Sequence, residues 1–180
     1  MNKAFAVWLT GLPASGKSTI ARELSAALVK AGCTPEVLES DALRRMLTPD
    51  ATYAPPERDL FYRALAFYGS RLVAHGVPVI FDATGNRRQY RDLARELIPH
   101  FLEVAVVTPL EIAEQRDQKG TYRRGREGKI STVPGLQEPY EAPLKPEIVV
   151  DTTFLSAPSA AEQIIESLRK HGYLEKVMKT

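Results

Sequence analysis

Residues 11–18 read Gly-Leu-Pro-Ala-Ser-Gly-Lys-Ser, which matches the phosphate-cradling pattern G-x-x-x-x-G-K-[ST] at every fixed position. The chemistry asks for these residue types. A nucleoside triphosphate carries dense negative charge that must be matched without crowding. Gly11 and Gly16 allow a tight turn that brings main-chain N–H groups close to phosphate, and Leu12, Pro13, Ala14 and Ser15 complete that loop. A helix starting at about Lys17 points its positive end at the same anion. Lys17 adds a mobile full charge, the Ser18 hydroxyl is a Mg²⁺ ligand, and Thr19 follows on the first turn. The expected cofactors are therefore ATP and Mg²⁺. A ligand-free glycine turn is the plain alternative, and the strand-like and helical segments on either side of the octet argue against it.

The elements that must hold this loop are legible around it. Five strand-like runs, at about Ala4–Leu9, Thr34–Glu39, Val77–Ala83, Phe101–Thr108 and Glu147–Thr152, alternate with helical patterns. The interior runs are nearly continuous apolar stretches, as expected of a parallel sheet covered by helices on both faces. The first helix shows Ile20, Leu24, Ala27, Leu28 and Ala31 at helical spacing. A longer helix over 56–75 is expected to bury Phe61, Leu65, Tyr68 and Leu72. Three helix starts are read at Thr108-Pro109-Leu110-Glu111, Ser159-Ala160-Ala161-Glu162 and Asn86-Arg87-Arg88-Gln89. The third is followed by Tyr90, Leu93, Ala94 and Leu97 on its buried side, and the second by Ala161, Ile164, Ile165 and Leu168.

In an open parallel sheet ligands bind beyond the carboxyl ends of the strands. Phosphoryl transfer needs a carboxylate there to organise Mg²⁺ or take the acceptor proton, and cations to neutralise the transferring group. The second strand delivers Glu39-Ser40-Asp41 and the third delivers Asp82, so these two aspartates are the carboxylate candidates. Arg44 lies one helical turn past Asp41, and Arg88 follows the third strand. Residues 118–146 break the alternation with four glycines, four prolines and many charges. A stretch this long without periodicity suits a mobile basic flap over phosphates, with a solvated loop as the alternative.

Composition bounds the reading. A chain of 180 residues that is 44% hydrophobic suits one domain with a real core. A net charge of +2 gives no bulk case for nucleic acid or an acidic membrane. The single cysteine, Cys33, excludes an internal disulfide and fits a cytoplasmic protein. His75, His100 and His171 lack zinc-ligand spacing. No signal peptide and no membrane span are read. Absence of a second motif of motor or switch proteins favours a small-molecule kinase over a mechanical ATPase.

Taken together these residues resemble the adenylyl-sulfate kinase family. The likeness covers most of the chain and is sharpest over 101–152: Phe101-Leu102-Glu103-Val104, Glu114-Gln115-Arg116-Asp117, Lys119-Gly120-Thr121-Tyr122, Gly135-Leu136-Gln137-Glu138-Pro139-Tyr140-Glu141-Ala142-Pro143 and Pro146-Glu147-Ile148-Val149-Val150-Asp151-Thr152. The resemblance implies a single three-layer α/β P-loop kinase domain over 1–180, with a five-stranded parallel sheet, helices on both faces and a lid at about 116–140. It implies phosphorylation of the ribose 3′-hydroxyl of adenylyl sulfate by MgATP, in sulfate assimilation. Asp41 falls on the family's proposed base and Mg²⁺ organiser, acting with Lys17 and Arg88. Arg44, Arg58 and Arg88 fall on arginines used around the sulfonucleotide, Tyr53 falls near an adenine-stacking aromatic, and Arg116 lies on the ATP side. The expected partner is a small molecule, without nucleic acid or membrane, and a homodimer is admitted.

The chain also departs from the family's pattern. Glu39-Ser40-Asp41 stands for Asp-Gly-Asp, Gly85 for a phosphorylatable serine, Phe61 for an asparagine, Val133 for the second stacking aromatic and Ser131 for a lysine. The ATP half is intact and the acceptor half altered. A kinase of the same fold with another nucleotide-linked or small anionic acceptor is the competing reading. A non-catalytic nucleotide-binding regulatory module is the third.

Overall fold

A computed structural model describes residues 3–175. Five parallel strands, β1 (Ala6–Thr10), β2 (Glu36–Glu39), β3 (Val79–Asp82), β4 (Phe101–Val107) and β5 (Ile148–Asp151), form one sheet in the order β2-β3-β1-β4-β5. Ala6 aligns with Val79 on one side and Phe101 on the other, which brings the ends of β1, β3 and β4 to the same edge. The α/β class, with an all-parallel five-stranded sheet, is the one expected from the sequence.

Period-two alternation in the buried strands feeds two cores. Val7 and Leu9 turn to α1 (Lys17–Lys30) and α7 (Ala157–Lys170), among Ile20, Leu24, Ile164 and Leu168. Ala6 and Trp8 turn the other way, to α3 (Pro55–Ala74) and α4 (Arg88–Leu97). A short α2 (Ser40–Leu47) follows β2, and α5 (Leu110–Gln115) and α6 (Thr121–Arg126) follow β4. The basic stretch after 118 is thus partly helical, with a small core of its own in which Tyr122 and Val133 are buried with Ala113.

The structure corrects several local expectations. On α3 the buried stripe is Phe61, Tyr62, Leu65, Ala66 and Gly69, while Tyr68 is half exposed. Gly69 sets this phase: a Cβ there would lie 2.2 Å from the Phe81 ring, so the helix packs closely on β3 along that line and Tyr68 rotates to solvent. On α4, Leu97 is exposed and Arg91 is buried instead. The capping signals also shift. Helix α7 is capped three residues before the expected cap, because Ser156 accepts a hydrogen bond from the Ser159 amide at 3.3 Å and Pro158 suits the first turn. Thr108 does not cap α5. Its buried hydroxyl has no partner among the described residues, and Pro109 takes the cap position. Asn86 does not cap α4: Arg87 takes the cap position, and the Asn86 side chain donates from Nδ2 to Pro139 O at 3.1 Å. Cys33 is a buried thiol whose pKa burial pushes up, in keeping with a packing role.

Candidate active site

The phosphate-binding loop connects β1 to α1. Gly11 faces the carbonyl of Val106 on β4, where a Cβ would come within 2.3 Å, so only glycine lets the chain pass. Gly16 has φ 98°, and α1 begins at the next residue, Lys17, as the octet predicts. The Lys17 amine folds back to donate to Leu12 O at 2.7 Å and Gly11 O at 3.0 Å. Burial lowers its pKa to about 8, opposed by the nearby charges of Asp82 and then Asp41. Ser18 and Thr19 are exposed on the first turn of α1.

The loop is covered from the far half of the chain. Tyr122 Oη on α6 donates to Pro13 O at 3.0 Å, and Leu12 abuts Gly135 so closely that a Cβ there would lie 2.5 Å away. Thr152 Oγ1, past β5, donates to Ser15 O at 2.9 Å, and Arg116 donates to Thr152 Oγ1 at 3.1 Å and its carbonyl at 3.0 Å. Arg116 therefore stands one residue removed from the loop. Asp117, the next residue, accepts from the amides of Thr121 and Tyr122 at 2.8 and 2.7 Å and so organises the start of α6.

Of the two carboxylates, Asp82 is buried at the end of β3 and Asp41 is half exposed in the first turn of α2. Asp41 Oδ2 accepts from Lys119 Nζ at 2.6 Å, and this bond raises the Lys119 pKa. Lys119 was not singled out from the sequence. Its signals were its place at the start of the basic stretch and in the family-like string Lys119-Gly120-Thr121-Tyr122, 78 residues from its partner.

Arg44, Arg58 and Tyr53 come together beside α2. Both arginines are buried. The Arg44 guanidinium lies 4.8 Å from the centre of the Tyr53 ring and 3.8 Å from that of Phe61, and Arg58 lies 5.6 Å from Tyr53. Arg58 donates to Thr132 O, and its Nε has no partner among the described residues. Tyr53, at φ 56°, is 40% exposed. Arg88 makes its contacts with the 141–142 segment: its main-chain amide donates to Glu141 Oε2 at 2.8 Å and its guanidinium to Ala142 O at 3.2 Å. Val133, expected near the second stacking position, is buried in the small core with Ala113 and Tyr122, and Ser131 is exposed.

The 139–142 segment is strapped across the strand ends. Thr10 Oγ1 lies 3.1 Å from Tyr140 Oη, and the Glu141 amide donates to Asn86 O at 2.8 Å. Arg91, absent from the sequence reading, donates to Glu141 O at 2.7 Å, to Gly85 O, and to Glu103 Oε1 at 2.6 Å. Arg95 extends the network to Glu147 at 2.6 Å. The readable signal was Arg91 and Arg95 four residues apart on one helix, with Glu103 on β4 and Glu147 just before β5.

Among the described residues no group of three or more acidic, histidine or cysteine side chains could cage a metal. The donors near the loop are the Ser18 hydroxyl, Asp41 and Asp82. That sparse set suits Mg²⁺, which takes one or two carboxylates and fills its other positions with phosphate and water. No helix among the described residues is long and apolar enough to cross a membrane.

Comparison with known proteins bears on this geometry. The sequence pattern of the adenylylsulphate kinase family matches residues 3–151. An adenylyl-sulfate kinase of Synechococcus sp. (strain JA-3-3Ab) is 38% identical over 94% of this chain and 96% of its own length. The structure of the Mycobacterium tuberculosis APS kinase CysC in complex with AMPPNP and APS superposes with a TM-score of 0.87 at 32% identity, covering 94% of this chain and 99% of that one. A hexameric APS kinase from Thiobacillus denitrificans superposes at a TM-score of 0.72 and 28% identity, over 97% of this chain and 30% of the longer one.

Proposed function

This chain belongs to the adenylylsulphate kinase family, and we propose on that premise that it transfers the γ-phosphoryl group of ATP to the 3′-hydroxyl of adenylyl sulfate (APS), giving 3′-phosphoadenylyl sulfate for sulfate assimilation. The observation that carries this reading is the meeting of three groups from distant segments: Lys17 of the phosphate loop, Asp41 of α2 and Lys119, which holds Asp41 at 2.6 Å. A cradle for the donor, a carboxylate for the acceptor proton and a second cation for the moving charge are what phosphoryl transfer needs in one place.

In this reading the amides of Gly11–Ser18 and the Lys17 amine bind the β- and γ-phosphates, with Thr19 beside them. Lys17 leaves its two loop carbonyls to do so. Asp41 accepts the proton of the attacking hydroxyl, and Lys119 keeps that carboxylate oriented while adding positive charge beside the transferring group. Arg44 and Arg58 bind the acceptor's anionic part and Tyr53 stacks on its base. Arg88, with Arg91, holds the 139–142 strap against the strand ends. Ser18 and Asp41 would hold Mg²⁺, which when bound supplies neutralising charge between the phosphates. Residues 116–140 act as a lid whose closure excludes water and limits ATP hydrolysis. We place the activity in one kinase domain over 1–180, working in the cytoplasm, with a homodimer as its assembly.

The test is ADP release measured with and without APS. The expected result is APS-dependent release, and a loss of at least about 100-fold in kcat for Asp41→Asn with ATP affinity kept within a few-fold. Folded protein that binds ATP yet shows no APS-dependent release would overturn APS as the acceptor and point to another small anionic alcohol.

A further inference from the structure

We propose that Phe61 is a specificity-determining positioning residue, whose ring is the platform that holds the Arg44 guanidinium flat for the anionic group of the acceptor. This rests on the reading of Arg44 as an acceptor-binding residue. Three observations carry it.

The first is the contact itself. The Arg44 guanidinium sits 3.8 Å from the centre of the Phe61 ring, closer than its contacts with Tyr53 at 4.8 Å and Tyr62 at 5.8 Å. Both residues are buried. A cation over an aromatic face is attracted by the ring quadrupole, most strongly where water is excluded.

The second is the weakness of the competing partner. Glu57 reaches Arg44 only at 3.4 Å. Its carboxylate is already committed to the 52–53 turn, accepting from Thr52 N and Thr52 Oγ1 at 2.7 Å each and from Tyr53 N at 3.3 Å, bonds that hold its pKa below the usual carboxylate range. A well-paired carboxylate would neutralise Arg44 and compete with an incoming anion. A ring face stabilises the cation without cancelling its charge, and a guanidinium has five N–H donors in its plane to offer.

The third is that the platform is itself fixed. Phe61 meets Tyr62 edge-on at 5.4 Å and 82°, Tyr62 stacks on Tyr90 at 4.4 Å, and the Tyr62 oxygen accepts from the Gly85 amide at 3.1 Å. The position of the ring, and with it the seat of Arg44, is therefore referred back through these contacts to Gly85, just past β3.

The experiment is a steady-state comparison of Phe61→Leu, Phe61→Tyr, Arg44→Ala and the double variant Arg44→Ala/Phe61→Leu, with thermal melts to confirm folding. Leucine fills the apolar space and removes the ring face. The expected result is a KM for APS raised about 5- to 30-fold by Phe61→Leu, the range of a desolvated cation–π contact, with kcat and the KM for ATP within about 2-fold. Phe61→Tyr restores the KM. In the Arg44→Ala background Phe61→Leu adds nothing further, whereas a merely structural role gives additive effects. Should Phe61→Leu fail to fold, Phe61→Met serves the same comparison. A raised KM in Arg44→Ala with a wild-type KM in Phe61→Leu, or additivity in the double variant, overturns the proposal for Phe61 alone. An unchanged KM in Arg44→Ala overturns the reading of Arg44 beneath it, and the platform with it.

Discussion

Raising the pH from 7 to 9 takes Lys17 through its titration, and ATP binding should report the passage. In the free protein burial holds the Lys17 pKa at about 8, against 10.5 for an ordinary lysine, because the carboxylates of Asp82 and Asp41 only partly offset the loss of water. Its amine leans on the carbonyls of Gly11 and Leu12, which are dipoles and not full charges. Polyphosphate at the same loop supplies full negative charge and favours the protonated amine. With the free value at about 8 and the bound value above the window, binding takes up ~0.1 proton at pH 7, ~0.5 at pH 8 and ~0.9 at pH 9. Affinity falls accordingly by about 2-fold at pH 8 and about 10-fold at pH 9, since one unit is worth ~1.4 kcal/mol. Calorimetric titration of MgATP in two buffers of different ionisation enthalpy measures the uptake directly. Stability runs the other way. The folded pKa lies below the unfolded one, so between about 8 and 10.5 the unfolded chain binds more protons, and this group's contribution to stability rises with pH. Undiminished ATP affinity at pH 9 with no proton uptake would refute the argument that Lys17 is the buried charge that meets the phosphates.

Three further outcomes are expected. Glu103→Gln removes the charge that neutralises the almost fully buried Arg91 at 2.6 Å, so urea unfolding should show a loss of about 3–5 kcal/mol; a loss under 1 kcal/mol would contradict the ion pair. Gly85→Ser puts a side chain at φ 50° with its Cβ 3.0 Å from Trp8 and 3.1 Å from Arg91. It should cost about 1–3 kcal/mol in the same assay, and unchanged stability would show that the turn relaxes freely. Tyr122→Phe removes the bond to Pro13 O and should raise the KM for ATP by about 5-fold for ~1 kcal/mol lost, with little change in kcat; a wild-type KM would detach α6 from the donor loop.

What the residues alone determined was whatever rests on local pattern. The octet at 11–18, the apolar runs and the glycine at the start of α1 each depend on near neighbours. Strand, loop, helix and the edge of the sheet where chemistry belongs were therefore legible before any fold. So was the nearness of Arg44, Arg58 and Tyr53, through likeness to a known family. The tertiary structure decided what depends on residues far apart in sequence. Tyr68 faces out because Gly69 meets Phe81 across the core. Ser159 yields the α7 cap to Ser156, whose hydroxyl accepts from the Ser159 amide. Arg91 reads as a surface charge on its helix, and its ion pair with Glu103 on β4, with the carbonyls of Gly85 and Glu141, makes its burial tolerable. Val133 belongs to a small separate core with Ala113 and Tyr122. Lys119 meets Asp41 only because the chain after β4 folds back over the first loop. Periodicity records which side of an element is apolar. Desolvation and charge pairing across the sheet ends settle which polar groups can share one place.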